Sequence, residues 1–276
     1  FCDANFAYKR LRAVCRRFKR AFGCLPELDP CTLRHSTWAG FFADPALPPE
    51  DIGLFQYRLS RSSRAARTFF VMNFCLQRLR SVVRLELDLG HWASSETIQS
   101  LQHIGTIQNL RLLAVRLGGN RLVTPPLLHN MLKHWSRVAT LEDLDLDCQR
   151  CSLGNGALGA LSSTNKGQRW QLSTLMLNFS MNDLGCTDAM VIGEFLTRLP
   201  HSTTPPLRCV VNVEVNSIRL FGADLLARRA ASVVDGAHVH LRMWLNDISA
   251  DEAEHIRAGN TRTPSGHMGA IVEVDL

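Results

Sequence analysis

The chain has 276 residues, 46% of them hydrophobic and 20% charged, with a formal net charge of +6. That is enough apolar material for a large core in one or two domains. No apolar run approaches the ~18 residues a membrane-spanning helix needs, and nine cysteines, an odd number, do not suit a small secreted disulfide scaffold.

The charge is unevenly spread. Residues 1–84 carry 15 Lys+Arg against 6 Asp+Glu, a net of +9, and the remainder carries −3. Near the N-terminus, Leu11, Val14, Cys15, Phe18 and Phe22 fall at helical spacing, and Lys9, Arg10, Arg12, Arg16, Arg17, Lys19 and Arg20 fill the other face. This basic helix is expected to contact RNA or an acidic protein; phosphate binding there would be strongly salt-dependent. The string Leu11-Arg-Ala-Val-Cys15-Arg-Arg-Phe18 resembles the closing helix of an F-box. That resemblance implies docking to a cullin-ligase adaptor; a basic capping helix is the alternative. The upstream half of an F-box is not in the chain, which begins at Phe1 rather than Met, as a processed or truncated chain would. Leu28-x-x-Cys31-x-Leu33 reads as a degenerate repeat, and Phe41 to Arg61, with three prolines, as an irregular insertion. A helix is expected from about Ser63 to Leu79.

From residue 81 the chain is periodic. Leu110-x-x-Leu113-x-Val115, Leu141-x-x-Leu144-x-Leu146 and Leu172-x-x-Leu175-x-Leu177 start 31 residues apart. Val82-x-x-Leu85-x-Leu87 precedes them; Val211-x-Val213, Leu241-x-Met243 and Val272-x-Val274-x-Leu276 follow. Alternation with period two predicts a short strand with one buried face. The column Asn120, Cys151, Asn182, Asn216, Asn246 then predicts an inward turn, in which a buried Asn satisfies backbone groups the turn leaves unpaired.

A helix is expected in each copy, with starts legible at Ser94-Ser95-Glu96, Thr124-Pro125-Pro126, Thr187-Asp188, Gly222, and Ser249 with Glu252 as a capping box. Strand, turn and helix at this spacing resemble the ribonuclease-inhibitor-like class of leucine-rich repeats over roughly residues 80–276. The resemblance implies an α/β solenoid: residues 1–80 a basic helical segment, residues 81–276 about six repeats, a parallel concave sheet and convex helices. The sequence departs from that pattern in placing Asn or Cys five residues, not three, after the last anchor in three copies. A doubly wound α/β domain also alternates strands and helices, but its strands would read as continuous apolar runs, and Asp145 and Asp147 interrupt these.

Two motifs could carry chemistry. Gly154-Asn-Gly156-Ala-Leu-Gly159 matches a dinucleotide fingerprint, but six residues separate it from its strand, so no cofactor is expected. Cys148-x-x-Cys151 could be half a zinc site or a redox pair, yet no second such pair occurs and His129 and His134 point to different faces of one helix. No catalytic motif is found, so the chain is expected not to be an enzyme. The cysteines are expected to be reduced thiols in a cytosolic, nuclear or organelle-matrix protein.

In such a solenoid the residues between the anchors line the concave side. The expected partner-binding residues are Glu86, Asp88, Arg116, Asp145, Asp147, Met176, Asn178, Glu214, Arg242 and Trp244. An acidic face suits a basic protein segment, with Met176 and Trp244 as apolar anchors. The expected function is therefore a protein-interaction scaffold, or an F-box/leucine-rich-repeat substrate receptor. The alternative is a structural or assembly subunit of a large complex, such as an organellar ribosome or respiratory assembly, anchored by the basic helix.

Overall fold

A computed structural model of the chain describes residues 54–58, 82–163, 170–199, 206–233, 236–260 and 270–276. Among these residues eight five-residue strands run in chain order: β1 (Leu54–Arg58), β2 (Arg84–Asp88), β3 (Leu112–Arg116), β4 (Asp143–Asp147), β5 (Thr174–Asn178), β6 (Arg208–Asn212), β7 (His238–Arg242) and β8 (Ile271–Asp275). Each is parallel to the next, and sequence order is sheet order. Parallel neighbours need a crossover. The crossovers contain α1 (Ser95–Ser100), α2 (Pro125–Trp135), α3 (Gly159–Ser163), α4 (Cys186–Thr197), α5 (Arg219–Ala231) and α6 (Ala250–Asn260).

The alternating anchors do what their period dictates. Leu85 and Leu87, Leu113 and Val115, Leu144 and Leu146, Leu175 and Leu177, Val239 and Leu241 are all buried, and the residues between them are mostly half-exposed. The core continues between the crossovers through Trp135 and Trp170. Each buried indole N–H finds a carbonyl: Trp135 Nε1 donates to Leu101 O at 2.8 Å and Trp170 Nε1 to Trp135 O at 3.2 Å. Trp170 also meets Phe195 edge-on, with centroids 6.1 Å apart.

Helix starts follow their caps. The Ser94 hydroxyl accepts from Thr97 N at 3.3 Å, and α2 opens on Pro125 and Pro126. Ser249 N donates to Glu252 Oε2 at 2.8 Å, closing the expected capping box.

The asparagine column forms a buried ladder. Asn182 Nδ2 donates to Cys148 O, Phe179 O and Ser180 O, and its Oδ1 accepts from Cys151 N and Leu153 N. Asn216 repeats this on Phe179 O and Val213 O while accepting from Asn182 N and Leu184 N. Asn246 does so on Val213 O and Met243 O. Each amide thus ties its own turn to the preceding one. The residue before the column is left-handed in every unit: Gly119, Arg150, Met181, Val215 and Leu245.

Two expectations are corrected. The sheet is open and flat, neither closed nor curled, so it is not a leucine-rich-repeat horseshoe. Curling needs crossovers wider than the ~4.8 Å strand spacing along the whole row, and helices ~10 Å across would supply that. Here the crossovers are unequal, from the five-residue α3 to the thirteen-residue α5, so no uniform outer layer repeats along the row to splay the strands evenly. What stands is an alternating β/α architecture with a parallel sheet. The doubly wound alternative is not found either: strand order has no switch point, and one sheet face is not covered among the described residues. Finally, β1 lies inside the span read as an irregular insertion, and pairs in register with β2.

The F-box-like string, the basic residues Lys9 to Arg20, the Leu28–Leu33 segment and the Ser63–Leu79 helix lie outside the described residues. The leucine-rich-repeat part of the receptor reading falls with that repeat class, and its F-box part rests on the Leu11–Phe18 string outside the described residues.

Candidate interaction face

Parallel register lines up the uncovered face in three rows. The first runs Arg84, Leu112, Asp143, Thr174, Arg208, His238, Ile271; the second Glu86, Ala114, Asp145, Met176, Val210, His240, Glu273; the third Asp88, Arg116, Asp147, Asn178, Asn212, Arg242, Asp275. Hydrogen bonding continues past the strand ends, where Val215 N donates to Trp244 O. The structure therefore gathers eight of the ten expected partner residues on one sheet face. It places Glu214 and Trp244 in the turns at its rim.

The face is less uniformly acidic than the sequence suggested. On β2–β8 its rows hold seven carboxylates and four arginines. The third row alternates in sign, Asp88–Arg116–Asp147 and later Arg242–Asp275, an arrangement in which opposite charges on adjacent strands attract. The negative charge concentrates on β4, where Asp143, Asp145 and Asp147 share the face with no cation of their own strand. Arg116 approaches Asp145 only to 3.8 Å. Burial pushes the Asp145 carboxyl above its ordinary value; Asp147 and Glu86 push the same way, and Arg116 pulls it down. Asp145 is thus a half-desolvated carboxylate in a field that favours an added cation.

One exposed apolar side chain lies beside that strand and another at the rim of the sheet three strands on. Met176, directly beside Asp145 on β5, is 43% exposed, and Trp244 is 56% exposed. At the β6–β8 end a shallow recess of about 290 Å³ is lined by Arg208, Val210, His238, His240, Ile271 and Glu273. His240 Nε2 meets Asp275 Oδ2 at 2.7 Å there. Among the described residues no cluster of three or more His, Cys, Asp or Glu is arranged for a metal.

Sequence reasoning missed Arg84, Arg208 and His238. They precede the first leucine-type anchor of their strands, outside the intervals searched. It also missed Asp188. That carboxylate is buried and accepts from Gly156 N at 2.8 Å, Leu158 N at 2.9 Å and Gly185 N at 3.1 Å. The glycine motif is thereby explained: the N–H groups of Gly156 and Leu158, which a pyrophosphate would need, bond a structural carboxylate. Gly156 is at φ +82, where the chain favours glycine.

No family model matches the chain, and no curated protein sequence matches it. No helix among the described residues is long and apolar enough to cross a membrane.

Proposed function

We propose that the chain is a non-catalytic interaction scaffold whose open sheet face holds a basic segment of a partner protein in a reducing compartment. The observation that carries this reading is β4: three carboxylates on an uncovered face, one of them half-desolvated, beside the exposed Met176, with the exposed Trp244 at the rim of the same sheet three strands away. A lysine or arginine over Asp145 would regain charge pairing, and apolar contact at Met176 and Trp244 would supply the anchor that concentrates binding energy. Helices and the asparagine ladder make the face rigid, so little ordering entropy is lost on its side of the complex.

The uneven charge supports a second reading, a structural subunit of a larger assembly anchored by Lys9 to Arg20. Its mark would be co-sedimentation with a large particle that is lost when those seven cations become alanine. The first reading is tested by co-purification with the full chain bearing Asp145→Lys and Asp147→Lys. The partner should be lost from this variant and retained by Met190→Ala on α4. Retention of every partner by the β4 variant would refute it.

A further inference from the structure

The cysteine pair after β4 remains unused by the reading above. In the later units the column side chain folds back over the residue three positions earlier: Asn182 Nδ2 reaches Phe179 O at 3.0 Å, Asn216 reaches Val213 O at 2.8 Å, and Asn246 reaches Met243 O at 2.7 Å. In the β4 unit both of these positions are cysteine, Cys151 over Cys148. The same backbone geometry therefore sets the two cysteine side chains against one turn, whose ends Asn182 holds. The Cys151 S–H takes over the amide's inter-turn role, donating to Leu117 O at 3.4 Å.

The turn that joins the thiols is clamped from the next unit. Asn182 Nδ2 donates to Cys148 O and Asn182 Oδ1 accepts from Cys151 N, both at 2.8 Å. Arg150, at φ 55, closes the four-residue turn. A turn of this kind brings its ends within ~7 Å, which overlaps the Cα separation a disulfide needs.

We propose that Cys148 and Cys151 are a reversible dithiol–disulfide site, oxidised by a low-molecular-weight disulfide. The Cys151 sulfur attacks the small disulfide. A mixed S–S bond forms, the small S–S bond breaks, and one small thiol leaves with the Cys151 proton. The Cys148 sulfur then attacks Cys151. The protein S–S bond forms, the mixed bond breaks, and the second small thiol leaves with the Cys148 proton. Two electrons pass from the protein pair to the small disulfide. The neighbouring Cys148 thiol holds the Cys151 thiol below its usual range, which suits it to the first attack; Cys148 is held well above. Both thiols are buried, but Arg150 and Ser152 beside Cys151 are at the surface, so access needs only local opening of the turn. The bond would lock the turn that adjoins Asp147.

The test equilibrates the full chain with glutathione and glutathione disulfide, blocks free thiols and maps the digest by mass spectrometry. The expected result is a Cys148–Cys151 link, while Cys209 stays a thiol and so reports that the array is folded. In Cys148→Ser the link is absent and Cys151 carries glutathione. The proposal is overturned if both cysteines stay thiols in a buffer that converts Cys186 fully to its mixed disulfide. It is equally overturned if each carries its own glutathione without linking.

Discussion

Replacing Asn182 with alanine deletes five side-chain hydrogen bonds, three donated to carbonyls and two accepted from amides. The side chain is fully buried, so water does not replace them. Two of the five, to Cys148 O and from Cys151 N at 2.8 Å, are short. The rest are longer or share a donor. Orphaning a buried polar group costs ~1–3 kcal/mol; with two strong losses and partial relaxation of the others, the variant should lose about 3 kcal/mol. Urea unfolding followed by circular dichroism measures this, with Met190→Ala, exposed on α4, as a control expected within ~0.5 kcal/mol of the parent. A row of units can lose cooperativity, so hydrogen exchange at Cys151 and Leu153 should be read beside the midpoint. Both amides should exchange faster in the variant. A loss under ~1 kcal/mol with both amides still protected would show that the ladder does not brace the turns.

Asp188→Ala should be destabilising by several kcal/mol, since hydrogen bonds to a charged group contribute ~1.5–3 kcal/mol each and three N–H donors lose their acceptor; thermal melts check this, and a wild-type melting point would contradict it. Asp145 titrates above its ordinary value of 3.8, so the folded state holds a proton there that the unfolded chain has already released. Its ionisation therefore opposes folding at neutral pH, and that penalty fades as pH falls through the raised value towards 3.8. The parent should gain stability relative to Asp145→Asn on acidification; a relative loss would contradict the burial of that carboxyl. Burial pushes the Cys209 thiol up to about 12, and Cys186 is half-exposed. Among the four described cysteines, a maleimide at neutral pH should modify Cys186 first and leave Cys209 intact until the chain unfolds, as peptide mapping would read directly.

Much of this fold is visible in the amino-acid order because strands with one buried face must alternate. Leu144-Asp145-Leu146 admits little else, and the Asn182 column marks turns because a buried amide satisfies donors and acceptors together. Curvature is not encoded in those strands. It depends on how evenly the crossover layer repeats along the row, and crossovers ranging from the five-residue α3 to the thirteen-residue α5 do not repeat evenly. β1 escaped notice because Pro45, Pro48 and Pro49 precede Leu54-Phe55-Gln56-Tyr57-Arg58. On the candidate face, Glu86, Asp145 and Met176 were legible as residues between anchors. Arg84 and Arg208 were not, since they stand one place before them, and they temper the charge of the rows. Asp188 was legible only as a helix-start residue; its partners Gly156 and Leu158 lie about 30 residues upstream, a separation no local pattern reveals.

The most direct measurement places a photo-crosslinking residue at Met176 on the open face, and separately at Phe221, 70% exposed on α5, in the full chain within its native extract. The Met176 position should give a discrete adduct with a lysine- or arginine-rich stretch of another protein, weakened by Asp145→Lys, while Phe221 gives none. Adducts at Phe221 alone, with nothing captured at Met176, would show that the chain meets its partner through its helices and that the sheet face is only a solvated surface.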